Sequence, residues 1–202
     1  SLRRIEIPSS VTSIEDKTFY DCNSLTEITI PSSVTSIGKS AFYFCKSLLQ
    51  VDIPSSVTLL GSHAFSECTS LTEITIPSSV ISIENSTFSG CRSLKQIAIP
   101  QSVTSIGDYA FSSCSSLKQI TIPSAVRLIG SSAFDGCSSL ALITLPSSMT
   151  VIGNRTFSGC NLLSQLTIPS SVTSIGETPF VECTNLHSIL VESENTNYSS
   201  LD

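Results

Sequence analysis

The protein has 202 residues, of which 40% are apolar and only 13% charged; tryptophan is absent and the formal net charge at pH 7 is −6. A soluble domain usually carries about a quarter charged residues, so Ser and Thr must supply most of the polar surface, and the acidic balance excludes the basic footprint of a nucleic-acid binder. The regular spacing of apolar residues excludes disorder, and runs such as Ala41-Phe42-Tyr43-Phe44-Cys45 fall far short of the roughly 20 residues of a membrane span.

No initiator Met, basic n-region or apolar h-region opens the chain at Ser1, so no secretion signal is visible. The dominant signal is repetition. Pro8, Pro31, Pro54, Pro77, Pro100, Pro123, Pro146 and Pro169 recur every 23 residues, as do Cys22 to Cys183 and Phe19 to Phe180, without one insertion. Within a unit, Ile28 and Ile30 alternate with polar residues and are β-branched, so residues 25–30 read as a strand with one buried face. Pro31 lacks a backbone donor and marks the corner. Val34 and Ile37 read as a second short extended segment. Ala41, Phe42, Cys45 and Leu48 have the spacing of a brief helical or 3₁₀ turn with its inner side buried. The column containing Gly38 also holds Glu15 and Glu84, which predicts that the backbone there needs no positive φ and that glycine is convenient rather than obligatory.

A coil of this size cannot bury its apolar side alone; stacking coils places Ile on Ile and Phe on Phe. The expected fold is a strand-rich, right-handed solenoid with a parallel sheet and short helical or 3₁₀ turns, eight full repeats and a partial ninth over residues 1–191, followed by a C-terminal tail at 192–202. At roughly 4.8 Å per rung the rod is about 40 Å long. The columns headed by Leu25, Ile28, Ile30, Val34, Ile37, Phe42 and Cys45 are expected to point inward in every coil.

The run from Leu25 to Cys45, Leu-x-x-Ile-x-Ile-Pro-Ser-Ser-Val-Thr-Ser-Ile-Gly-x-x-Ala-Phe-x-x-Cys, resembles the BspA-like subclass of leucine-rich repeats, and the resemblance covers nearly the whole chain. The ending from Asn195 through Tyr198 and Ser200 to Asp202 is similar to a segment that follows the repeats in this family, where the chain usually continues. The resemblance implies a leucine-rich-repeat solenoid displayed on a cell surface and associated with adhesion to host matrix proteins or other cells. It implies no set of binding residues, because the motif describes the scaffold.

The eight cysteines have no compact zinc spacing. They share one column, in which Cβ vectors run parallel rather than converging as a disulfide needs. A ladder of buried thiols is the favoured reading, with stacked disulfides or a metal as alternatives. His63 and His187 sit in different columns, and no nucleophile elbow is present. Glu27 and Glu73 share a column with Gln50 between them, about 9.6 Å apart at ladder spacing, which reads as a solvated strand face. No catalytic residue, cofactor or metal is expected. Asn85, Asn154 and Asn197 begin Asn-x-Ser/Thr sequons, a number close to chance in so Ser/Thr-rich a chain.

Because solenoids bind along the concave sheet, the candidate binding residues are Glu27, Gln50, Glu73, Lys95, Gln96, Lys118 and Gln119, with Lys95 and Lys118 on adjacent rungs. An alternative site on the opposite rim is Tyr20, Tyr43 and Phe44, as exposed aromatics anchor interfaces. The expected function is a non-enzymatic protein-binding or adhesion module of a larger cell-surface or extracellular protein, with a host matrix or cell-surface protein as partner. The alternative is an intracellular leucine-rich-repeat scaffold binding one protein partner.

Overall fold

The computed structural model describes residues 2–200. Ser1, at the expected start of the first strand, and Leu201 and Asp202, at the end of the post-repeat motif, lie outside the described residues. The chain winds into eight stacked coils and the beginning of a ninth. Coil 1 opens at Leu2, and coils 2 to 9 open at Leu25, Leu48, Leu71, Leu94, Leu117, Leu140, Leu163 and Leu186.

Each coil contributes up to two short strands. The first set comprises Arg4–Glu6, Glu27–Thr29, Gln50–Asp52, Glu73–Thr75, Gln119–Thr121, Leu142–Thr144, Gln165–Ile168 and Ser188–Val191. The second comprises Ser13–Ile14, Ser36–Ile37, Leu59–Leu60, Ser82–Ile83, Ser105–Ile106, Leu128–Ile129, Val151–Ile152 and Ser174–Ile175. All pairings are parallel and join equivalent positions of successive coils, such as Ile5 with Ile28 and Ile129 with Ile152. A strict sequence period leaves no other register, since a slip of one residue would turn every isoleucine outward.

The inward columns are buried without exception from coil 2 to coil 7. Their spine is a stack of phenylalanines, Phe19 to Phe180, with centroids 5.1–5.9 Å apart and planes within 16°. Burial does not hold in every coil. Leu2 is 56% exposed, Phe19 and Cys22 are half-buried, and burial lapses again from Ile175 through Phe180 and Cys183. Each of these segments has a neighbouring coil on one side only among the described residues.

The expected helical turns are not present; the described residues contain no helix. Residues 38–48 instead form successive tight turns, with Ala41 N–H donating to Gly38 O, Tyr43 to Ser40 O, Cys45 to Phe42 O and Leu48 to Cys45 O. The intervening amides, those of Ser40, Phe42 and Phe44, donate to the next coil. The reason is local: Ser40 has φ 55° and Phe44 φ 62°, and the equivalent residues in all eight coils share this left-handed conformation, which a right-handed helix cannot propagate through.

The glycine column behaves as expected in φ, since the left-handed glycines are Gly90, Gly136 and Gly159, in another column. Glycine there is nonetheless not merely convenient. A Cβ on Gly130 would lie 2.5 Å from Asp108 N, and one on Gly61 2.6 Å from the carbonyl carbon of Gly38. Glu15 escapes because no described coil lies beneath it. Glu84 does not escape, and the second ladder is interrupted there: it runs through coils 1 to 3 and coils 4 to 8, but Leu59–Leu60 and Ser82–Ile83 are not paired.

Candidate functional site

The first-strand set presents its polar residues outward, because alternation buries Ile28, Val51, Ile74, Ile97 and Ile120 and leaves their neighbours in solvent. Glu27, Gln50, Glu73, Lys95, Gln96, Lys118 and Gln119 are all exposed on this one face. They form two groups. Glu27 belongs to the first coils, where Arg4 Nε lies 3.8 Å from its carboxylate, an exposed pair of little energetic weight. Gln50 pairs in register with Glu73. From Glu73 onward the residues converge: Thr72, Glu73, Lys95, Gln96, Lys118 and Gln119 line one open depression of about 610 Å³, and Glu73, Gln96 and Gln119 also line an adjoining one of about 440 Å³. Among the described residues, neither lysine has a carboxylate within 4.0 Å; the ion pairs present involve Arg4 and Arg155.

The backbone contributes to this trough. The first ladder is continuous from Arg4–Glu6 to Glu73–Thr75 and then lapses at coil 5. Gln96 to Ile99 form no backbone hydrogen bond, and the coil is tied on this face by Lys118 N–H to Lys95 O at 3.3 Å. A second lapse separates Leu142–Thr144 from Gln165–Ile168.

The alternative rim residues are also brought together, on the turn side. Tyr20 stacks on Tyr43 at 5.3 Å, Phe44 meets Tyr43 edge-on at 4.3 Å, and Lys46 Nζ sits 5.1 Å from the Phe44 ring centre. His63 joins at 6.0 Å from Tyr43; burial and then the Lys39 ammonium push its imidazole below the usual range. Tyr20 is exposed, whereas Tyr43 and Phe44 are half-buried by these mutual contacts.

The cysteines form a buried column. Cys45, Cys68, Cys91, Cys114, Cys137, Cys160 and Cys183 each donate from Sγ to the phenylalanine carbonyl of the preceding coil, at 3.0–3.3 Å, and all eight thiols are unpaired. Burial is the main cause that raises them, with Cys45 pushed up to about 12. A buried thiol far above neutrality is neither a nucleophile nor a ready metal ligand. Among the described residues, no group of three His, Cys, Asp or Glu side chains is arranged to hold a metal ion.

Sequence reasoning missed the role of the hydroxyls. Ser33, Ser56, Ser79, Ser102, Ser148 and Ser171 each donate to a carbonyl of the preceding coil, as do Thr35, Thr58, Thr104 and Thr173. Their fixed columns were the available signal. These ten hydroxyls therefore tie coils together rather than facing a partner.

Comparison with known proteins agrees with this geometry. Residues 1–118 and 104–201 match the family described as BspA type leucine rich repeat region (6 copies). The chain belongs to the BspA-type leucine-rich repeat family. A leucine-rich repeat protein of Bacteroides ovatus has a similar solved structure, with TM-score 0.77 and 37% identity over 93% of this chain and 45% of that one. The T. pallidum leucine-rich repeat protein is similar with TM-score 0.63 and 30% identity, over 91% of this chain and 77% of that one. The pneumococcal vaccine antigen PcpA shares the fold, with TM-score 0.63 and 23% identity over 96% of this chain and 51% of that one. This BspA-type chain thus spans under half the length of the B. ovatus protein. No curated protein matches the sequence significantly.

Proposed function

We propose that this BspA-type repeat region is a non-enzymatic protein-binding or adhesion module of a larger cell-surface protein, engaging a host matrix or cell-surface protein through its first-strand face. The observation that carries the reading is the pair of exposed lysines, Lys95 and Lys118, which line one depression with Thr72, Glu73, Gln96 and Gln119 and have no carboxylate within 4.0 Å among the described residues. Charges left uncompensated on a weakly charged surface favour an acidic or carbonyl-rich partner and speed its encounter. An open face without an enclosed pocket spreads contacts over several coils, so affinity rises with the number of coils engaged rather than with one residue. The surface location follows what the family resemblance implies.

The alternative, an intracellular scaffold, draws on the unpaired thiols. Cys45 to Cys160 are buried and hydrogen-bonded, so they suit either compartment and favour neither.

The test is binding of the purified chain to immobilised matrix and cell-surface proteins, parent against Lys95→Glu/Lys118→Glu. At least a tenfold loss, about 1.4 kcal/mol, with an unchanged thermal melt is the expected result. Parental binding by this variant, combined with loss on Tyr20→Ala/Tyr43→Ala, would move the site to the turn-side aromatic cluster.

A further inference from the structure

Coil 5 departs from the array at two positions that the scaffold does not require. The column of outward-facing strand residues holds Thr29, Thr75, Thr121, Thr144 and Thr167, with Glu6, Asp52 and Leu190 in three further coils, and coil 5 alone carries a residue as small as Ala98. In the column after the proline, serine occupies every other coil from Ser9 to Ser193, and coil 5 carries Gln101. Both departures lie in the adjoining depression of about 440 Å³, which is also lined by Gln96, Gln119, Thr75 and Thr121. Ala98 is exposed although small, so the floor is low where a threonine would raise it. Gln101 adds a third primary amide to the rim. The same coil has lost its ladder hydrogen bonds from Gln96 to Ile99.

We propose that this dent is the specificity site of the binding face, and that it takes an acidic, extended peptide segment of the partner protein lying across coils 4 to 6. An Asp or Glu of that segment sits between Lys95 and Lys118. The next residues occupy the dent over Ala98, where their peptide groups meet Gln96, Gln101 and Gln119. A primary amide both donates and accepts, so three around one hollow match the alternating N–H and C=O of an extended chain. Glu73 borders both depressions and orients the segment, since a second acid at the coil 4 end would face its carboxylate. The inference rests on the first-strand face being the binding face.

The experiment uses the repacked dent itself. Ala98→Thr/Gln101→Ser restores the residues that other coils carry, so the variant is expected to fold and melt like the parent. A displayed library of random 12-residue peptides is panned on the parent chain, and the selected peptides are titrated against parent, Ala98→Thr/Gln101→Ser and Lys95→Glu/Lys118→Glu by fluorescence polarisation. The expected result is enrichment of Asp and Glu, with at least a tenfold weaker Kd for both variants. Peptides without acidic enrichment, or peptides that bind the dent-filled variant as tightly as the parent, would overturn the proposal. Matrix binding that is lost on periodate oxidation yet survives protease treatment would also overturn it, in favour of a glycan. If Lys95→Glu/Lys118→Glu weakens matrix binding while Ala98→Thr/Gln101→Ser does not, the dent proposal fails and the binding face stands; if neither matters, the face itself is wrong.

Discussion

The thiol of Cys91 illustrates how one residue type serves the stack. It is small enough for a fully buried column, it behaves as a hydrophobe, and its proton reaches Phe65 O at 3.2 Å. Burial, then the neighbouring Cys68, holds it well above the usual thiol range. The group is protonated in both states at neutral pH. As pH rises past about 9 the unfolded thiols ionise while the folded ones cannot, so their stabilisation is complete below that pH and lost above it. A thermal melt that is flat to about pH 8 and falls beyond pH 9, by up to ~1.4 kcal/mol per pH unit for each protected thiol, is expected; Cys91→Ala should have a shallower decline. An unchanged slope in that variant would contradict the assignment. In native protein, Cys45 to Cys160 should resist a thiol reagent until denaturant is added, with the half-buried Cys22 and Cys183 labelled first.

At the level of the element, the crowded glycine column decides whether two coils can form a ladder. Gly130→Ala places a methyl 2.5 Å from Asp108 N and is expected to lower stability by about 1–3 kcal/mol. Gly136→Ala meets nothing closer than 3.6 Å and only pays for φ +72°, a smaller loss of about 1 kcal/mol. Glu84→Gly should join the two halves of the second ladder and raise the melting temperature, provided the lost Ser82-to-Glu84 side-chain bond at 2.7 Å is worth less than the ladder bonds gained. Equal melts for Gly130→Ala and Gly136→Ala would remove the crowding explanation. The strands, corner and register were legible in the sequence because each follows from residue type at a fixed period. The turns were not, because Ser40, His63, Tyr109 and Arg155 share a left-handed φ that none of these side chains announces. The trough was half legible. The lysine and glutamine columns stood out, but Ala98 and Gln101 gain meaning only beside the hollow they shape.

Across the described residues, stability is a sum over coils and their interfaces, so in the 202-residue chain the coils with one described neighbour open before the central ones. At the C-terminal end the chain after Val191 crosses coil 8 and holds its first half. Asn195 Nδ2 donates to Pro169 O at 2.9 Å and Val172 O at 3.0 Å, its Oδ1 accepts from Asn197 and Tyr198 N–H, and Tyr198 Oη accepts from Ile175 N–H. Burial lapses from Ile175 onward, where this cover stops. Asn195→Ala is therefore expected to speed amide exchange through residues 163–200 and leave coils 3 to 5 unchanged; acceleration along the entire chain would mean that the array unfolds as one unit instead.

The most direct test of a regular stack interrupted at the coil 5 trough is native-state amide exchange resolved to single residues. Leu94 and Val103 donate within their coil, while Gln96 to Ile99 donate to no backbone acceptor even though Ile97 and Ile99 are buried side chains. A local minimum of protection at residues 96–99, between strongly protected Leu94 and Val103 and within otherwise slow central coils, is the expected profile. Protection at 96–99 equal to that at the ladder-paired residues 73–75 would contradict it.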